Sequence, residues 1–144
     1  MVGCTPRLDP SQDPRKSLTD YISQSFSIKT RDDRSRLLVF LTGDAKSRLA
    51  GWSEDQFREA FLESKREFLK LSFKEVKNVS SAEVQITYEL SYIDPGRNRD
   101  GKKHEAKVTN KKLCQLVLDQ GKWLISDVRN IKELVEYKDE MSLP

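Results

Sequence analysis

The longest regular pattern in the chain is Ala82, Val84, Ile86, Tyr88, Leu90 and Tyr92, alternating with Glu83, Gln85, Thr87, Glu89 and Ser91. Period-two alternation sends one set to a covered face and the other to water, as in a half-buried strand. Leu69, Leu71 and Phe73 alternate with Lys70, Ser72 and Lys74 and predict a second strand of the same kind. His104 to Leu118 follows, with Ala106, Val108, Cys114, Leu116 and Leu118 in one parity. Its length predicts a bend or bulge near Asn110 to Lys112. Leu116-Val117-Leu118 then runs into Asp119-Gln120-Gly121-Lys122 and back through Trp123-Leu124-Ile125. The consecutive apolar residues fit a strand covered on both faces. Gly121 supplies the positive φ that a tight hairpin turn needs. Asp94-Pro95-Gly96 is expected to end the long strand, leaving Arg97 to Lys103 as a polar loop. Ile131, Leu134 and Val135 fit a closing helix or a strand extension equally, so segment 131–144 stays open.

The first half changes period. Asp13-Pro14 is a helix start, with Asp as N-cap and Pro in the first helical position. Leu18, Tyr21, Ile22, Ser25 and Phe26 then share one helical face. Asp32 to Leu41 predicts another helix, ending in Leu37, Leu38, Phe40 and Leu41. Thr42 can cap a short helix that Gly51 stops, and Ser53 with Gln56 forms a capping-box pattern. The helix it opens carries Phe57, Ala60, Phe61 and Ser64 on one side. Helices this short are unstable alone, so they must pack on the sheet that follows. Helices first and an antiparallel meander second is the α+β order. The expected fold is two or three amino-terminal helices on a curved antiparallel sheet of about four strands.

Length and charge narrow the partners. At 144 residues the chain has room for one domain with its own core. We divide it into a flexible tether, 1–13, and a single α+β domain, 14–144. Twenty-six basic against 23 acidic residues give a net charge of only +3, which makes no general case for nucleic acid. No apolar run is long enough to span a membrane. The one local asymmetry is Arg97 to Lys112, where Arg97, Arg99, Lys102, Lys103, Lys107, Lys111 and Lys112 face only Asp100 and Glu105. Such a hairpin can touch anionic lipid headgroups, or can simply deter edge pairing. No aromatic residues interleave there to stack bases.

Gly121-Lys122-Trp123, followed by Leu124, Ile125, Ser126, Asp127 and Val128, resembles the closing hairpin of the nuclear-transport-factor-2-like superfamily. With the helices before it, the resemblance covers roughly Pro14 to Val128. It implies a cystatin-like cone, with a ligand cavity between sheet and helices. Tyr21, Tyr88, Tyr92 and Trp123 are the residues expected to line it. In isomerases of that superfamily a helix Tyr and a cavity Asp act together, and the counterparts here would be Tyr21 and Asp44. Asp44 follows Gly43 at a helix start, where its carboxylate serves the helix N-terminus equally well. Members also pair through the sheet, so a homodimer is a further expectation.

Val2-Gly3-Cys4 resembles the end of a bacterial lipoprotein lipobox, and the polar stretch Thr5 to Asp13, with Pro6 and Pro10, fits a tether behind a lipidated Cys4. The basic and apolar segments that precede such a cysteine do not occur before it, so a lipoprotein here would have its leader cut back to Met1. The expected location is then the bacterial cell envelope, against a cytoplasmic alternative. Cys114, among Leu113, Leu116 and Leu118, reads as a buried small hydrophobe, and no disulfide to Cys4 is expected. His104 is the only histidine and reads as an exposed loop residue; with no His or Cys cluster, no metal is expected. No glycine-rich phosphate loop, nucleophile elbow or cofactor motif is present. Together these observations predict a non-catalytic module for an envelope protein or a small apolar ligand. The alternative is a small isomerase- or cyclase-type enzyme built on Tyr21 and Asp44.

Overall fold

Asp13 and Pro14 open the first helix as their chemistry dictates. The Asp13 carboxylate accepts from the Arg15 backbone N–H, and Pro14 occupies the first position, where a missing N–H costs nothing. This helix, α1 (Pro14–Ser25), buries Leu18 and Ile22. The structure, a computed structural model, describes residues 13–138. A 3₁₀ turn (Arg31–Asp33) leads into α2 (Arg34–Leu38), shorter than the pattern from Asp32 predicts. Next comes α3 (Gly43–Gly51), entered through Gly43 at φ +55°, where a Cβ would lie 3.5 Å from the Ser126 carbonyl oxygen. The Ser53 capping box forms: Ser53 Oγ accepts from the Gln56 N–H at 3.1 Å, and Gln56 Oε1 accepts from the Ser53 N–H at 2.9 Å. It starts α4 (Glu54–Phe57), which widens into a π-helical turn, Arg58–Leu62.

The second half is an antiparallel meander of β1 (Glu67–Ser80), β2 (Glu83–Arg99), β3 (Lys102–Asp119) and β4 (Lys122–Tyr137), in that spatial order. With the helices before it, this is the expected α+β fold on a curved sheet. Both β2–β3 and β3–β4 turns use two left-handed residues, Asp100 with Gly101 and Gln120 with Gly121, matching the twist of the strands. The helices cover one face of the sheet, and α1 and α3 pack on β4. Between them lies the core: Leu18, Leu37, Phe57, Ile86, Val108, Cys114, Leu116 and Ile125 are sealed from solvent. Cys114 is a free thiol there, while Cys4 lies outside the described residues.

Five expectations are corrected. The long strand does not end at Asp94-Pro95-Gly96; it bulges there, and pairing resumes at Arg97 opposite His104. Pro95 has no N–H to give a ladder, and a bulge is where a strand tolerates that. Arg97 to Lys103 is therefore the tip of a hairpin rather than a loop, and His104 is a half-buried strand residue whose ring meets Tyr137 edge-on. Leu116 to Leu118 is not covered on both faces: Leu116 points to the helices and is sealed, Val117 points to the helix-free side and is only half-buried, and Leu118, on the same side as Leu116 but at the strand end beside the turn, is 37% exposed. The period-two pattern of β1 gives it no sealed residue, though Leu71 is half-buried against the core. Phe68, Phe73 and Val76 stay exposed, since β1 is the edge strand farthest from the β4 side where α1 and α3 pack. The open segment after Ile131 is strand as far as Tyr137.

The expected irregularity near Asn110 to Lys112 is present, but the extra residue is on the partner strand. Lys111 pairs with Lys132 and Lys112 with Asn130, so Ile131 of β4 bulges out. β3 itself keeps its parity, and this decides what lies under the helices.

Candidate functional site

The register sets Phe73, Tyr88, Lys112 and Asn130 opposite one another, in a single row across the four strands. Residues directly opposite project from the same face. The next row along, Val76, Ile86, Cys114 and Val128, is apolar throughout. Tyr88, Lys112 and Asn130 thus form a polar interruption on the face that the helices cover.

The helices leave a cavity of about 260 Å³ above this row. Tyr21 of α1 and Leu41 line it, with Ala45, Arg48 and Leu49 of α3, and Trp52 and Phe61 beyond. Backbone bonds hold this roof in place. The Thr42 N–H donates to the Ile125 carbonyl at 2.8 Å, and the Ile125 N–H donates to the Phe40 carbonyl at 2.8 Å. Arg48 pairs with Asp127 of β4 across the rim. Arg34 fixes the far wall. Its guanidinium donates to the carbonyls of Trp52 at 2.8 Å and Ser53 at 3.3 Å, and stacks over the Phe57 ring at 4.8 Å. Trp52 in turn packs on Phe61, with ring centroids 5.8 Å apart.

The polar groups in this cavity share a feature. Among the described residues, the Tyr21 hydroxyl, the Tyr88 hydroxyl and the Lys112 ammonium have no hydrogen-bond or ion-pair partner. No described side-chain polar atom is both sealed and unsatisfied, so these three reach the cavity space. Burial, and then the nearby Cys114 thiol, pushes the Tyr21 and Tyr88 phenols above their ordinary range. Both stay protonated at neutral pH and act as donors. Burial pushes Cys114 up to about 12, which makes it inert as a thiolate. Burial, and then the Arg66 guanidinium, holds Lys112 below the ordinary lysine value. No acidic side chain lines the cavity.

The structure brings together some of the sequence candidates. Tyr21 and Tyr88 meet in the cavity. Tyr92 lies outside its lining, packed on Phe26 at 5.9 Å with the Arg66 guanidinium 5.1 Å from its ring. Trp123 is buried near the β3–β4 turn, opposite Leu118. Asp44 is exposed in the first turn of α3 and does not line the cavity. The basic hairpin is divided. Arg97 pairs with Glu133 at 2.9 Å, and Arg99 stacks over Tyr137 at 4.6 Å. Lys103 borders a separate hollow with Glu59, Glu63 and Asp94. Lys107 pairs across to Ile93 and Glu136 on the helix-free face, and Lys102 is exposed beside the turn. Among the described residues no group of His, Cys, Asp and Glu could hold a metal ion, and no helix is long and apolar enough to cross a membrane.

Sequence reasoning counted Lys112 only in the basic stretch and at the expected bend, and passed over Asn130, Arg48 and Trp52. A signal for Lys112 exists: it and Asn110 have the same parity as Val108 and Cys114, so they are polar residues in a series that is otherwise covered.

No family model and no curated protein matches the chain. A solved structure does. The crystal structure of the intermembrane space region of chloroplast protein ARC6 matches with a TM-score of 0.61 at 16% identity, over 88% of this chain and 98% of that one. At that identity the likeness to ARC6 speaks for the fold alone. What the cavity can do follows from its own chemistry. It offers hydrogen-bond donors and positive charge on the floor, and aliphatic and aromatic walls above.

Proposed function

We propose that this chain is a non-catalytic binding module, whose cavity between the helices and the polar row takes a small ligand with an apolar body. The observation that carries the reading is the convergence of three unpartnered polar groups in one apolar-walled cavity. Apolar walls with a few convergent polar groups are the usual make-up of a small-molecule site. The enzyme alternative draws less support, since Asp44 is outside the cavity that Tyr21 lines and the buried phenols are poor proton acceptors. The helix-then-sheet order and the Gly121-Lys122-Trp123 hairpin support placing the domain with the nuclear-transport-factor-2-like superfamily.

A thermal-shift screen of small aromatic and aliphatic compounds tests the binding reading. Hits should raise the melting temperature of the wild type and lose their effect in Trp52→Ala, after allowing for that variant's own stability. Compounds that stabilise both proteins equally would place binding elsewhere. An envelope location through lipidated Cys4 is a separate proposal, supported by Val2-Gly3-Cys4 and the polar tether behind it. Its test is the intact mass of protein taken from its own membranes: an acyl-sized excess on a chain starting at Cys4 supports it, and an unmodified Cys4 rules it out.

A further inference from the structure

Lys112 is a costly residue to place where it is. Its strand position faces the helices, and its flanking rows hold Cys114 on one side and Asn110 with Glu133 on the other; Glu133 is close enough to favour the charged form but is held by Arg97 at 2.9 Å, and the Lys112 ammonium makes no ion pair among the described residues. A charged group pulled from water needs an opposite charge or it weakens the fold. Around it the Tyr21 and Tyr88 hydroxyls are free donors, and Arg48 stands at the rim. The lining therefore holds the Lys112 ammonium, Arg48 already paired with Asp127, and no carboxylate, with Leu41, Leu49, Trp52 and Phe61 above.

We propose that the ligand of this cavity is a small amphipathic carboxylic acid, its carboxylate held by Lys112 and the Tyr21 and Tyr88 hydroxyls and its apolar body against Trp52 and Phe61. The proposal rests on the binding reading above and adds the chemical class. The ammonium gains a counter-charge, and each phenol gains an acceptor. These are charge-assisted hydrogen bonds, stronger than neutral ones. A neutral molecule of the same shape would displace water from the Lys112 ammonium without giving it a counter-charge. The apolar body must be short, because about 260 Å³ is below the common range for drug-sized ligands. Arg66 supports the same sign of charge: it lies over the rings of Phe26 and Tyr92 and is close enough to Lys112 to disfavour its protonation, an effect that Glu133 offsets only in part. An incoming carboxylate relieves that repulsion.

Calorimetric titration of the full chain with octanoate and with octan-1-ol tests the proposal, since the two differ only in the head group. Wild type should bind octanoate about tenfold or more tightly than octan-1-ol, the worth of one charged hydrogen bond. Lys112→Met should erase the preference while still binding octan-1-ol, and Lys112→Arg should retain it. Lys112→Gln, with melting curves for all variants, guards against loss of fold. Equal binding of acid and alcohol by wild type, or a preference that survives in Lys112→Met, overturns the acid class but leaves the cavity as a binding site. If neither probe binds the folded wild type, both the acid class and the apolar-ligand reading fall.

Discussion

Replacing Lys112 by methionine is expected to raise the melting temperature at neutral pH, because methionine fills the same space without a desolvated charge. The effect should depend on pH. Burial and Arg66 hold the folded-state pKa of Lys112 below its ordinary value of 10.5. Between the lowered and the ordinary value the unfolded chain binds the extra proton, so stability rises with pH across that window. The penalty is full below the folded pKa and relieved above it. The advantage of Lys112→Met should therefore shrink as pH climbs toward 10.5, which paired melts of the two proteins would show. Arg34 has the opposite character. Its guanidinium reaches the Trp52 and Ser53 carbonyls and stacks on Phe57, so Arg34→Ala should cost about 1.5–3 kcal/mol by urea unfolding. Lysine should not rescue it, because an ammonium cannot form the planar fork. Tyr21 and Tyr88 were legible in the sequence as aromatics on a helix face and a strand face. Lys112 was not, because a polar residue amid a long strand reads as a bend. The bend is real, but Ile131 of β4 absorbs it, leaving Lys112 under the helices.

Alternation along β2 and the caps at Asp13 and Ser53 were readable from sequence because each depends on neighbours in the chain. Coverage was not, because it depends on where the helices land. The apolar set of β1 has the same period as that of β2, yet β1 lies at the open edge. The two strands should respond differently to substitution. Ile86→Ala, at 0% exposure, should cost about 2–5 kcal/mol. Val79→Thr, at 47% exposure on β1, should stay within about 0.5 kcal/mol of wild type. Three register shifts in the β1–β2 ladder, and the lysines Lys70, Lys74 and Lys77, make that edge a poor template for a further strand. Gly43 is the joint between the strand-like segment at Phe40–Thr42 and α3. Gly43→Ala, forced into the left-handed region at φ +55°, should cost about 1–2 kcal/mol and loosen the cavity roof. Denaturant midpoints would measure all three.

At the scale of the whole molecule, helices on one face of a single meander leave room for a cavity only where side chains fail to fill the gap. Most of the interior is sealed by residues such as Leu18, Phe57 and Ile125. One gap occurs where the row of Tyr88, Lys112 and Asn130 meets Trp52 and Phe61, and another of about 330 Å³ lies between α1 and β1 at Ile22, Phe26, Phe68 and Leu71. The α+β order was legible because the period of the apolar pattern changes once along the chain. The cavity lining was not, since it joins residues as far apart as Tyr21 and Asn130 through a register no local pattern encodes. The two tryptophans give this cavity its own reporter: Trp52 lines it, while Trp123 is buried near the β3–β4 turn. The decisive measurement is a titration of the ¹⁵N-labelled chain with octanoate, following both indole N–H resonances. A saturable shift of Trp52 with Trp123 unmoved is the predicted result. A Trp52 resonance that stays still, or equal shifts at both indoles, would contradict a ligand site in this cavity.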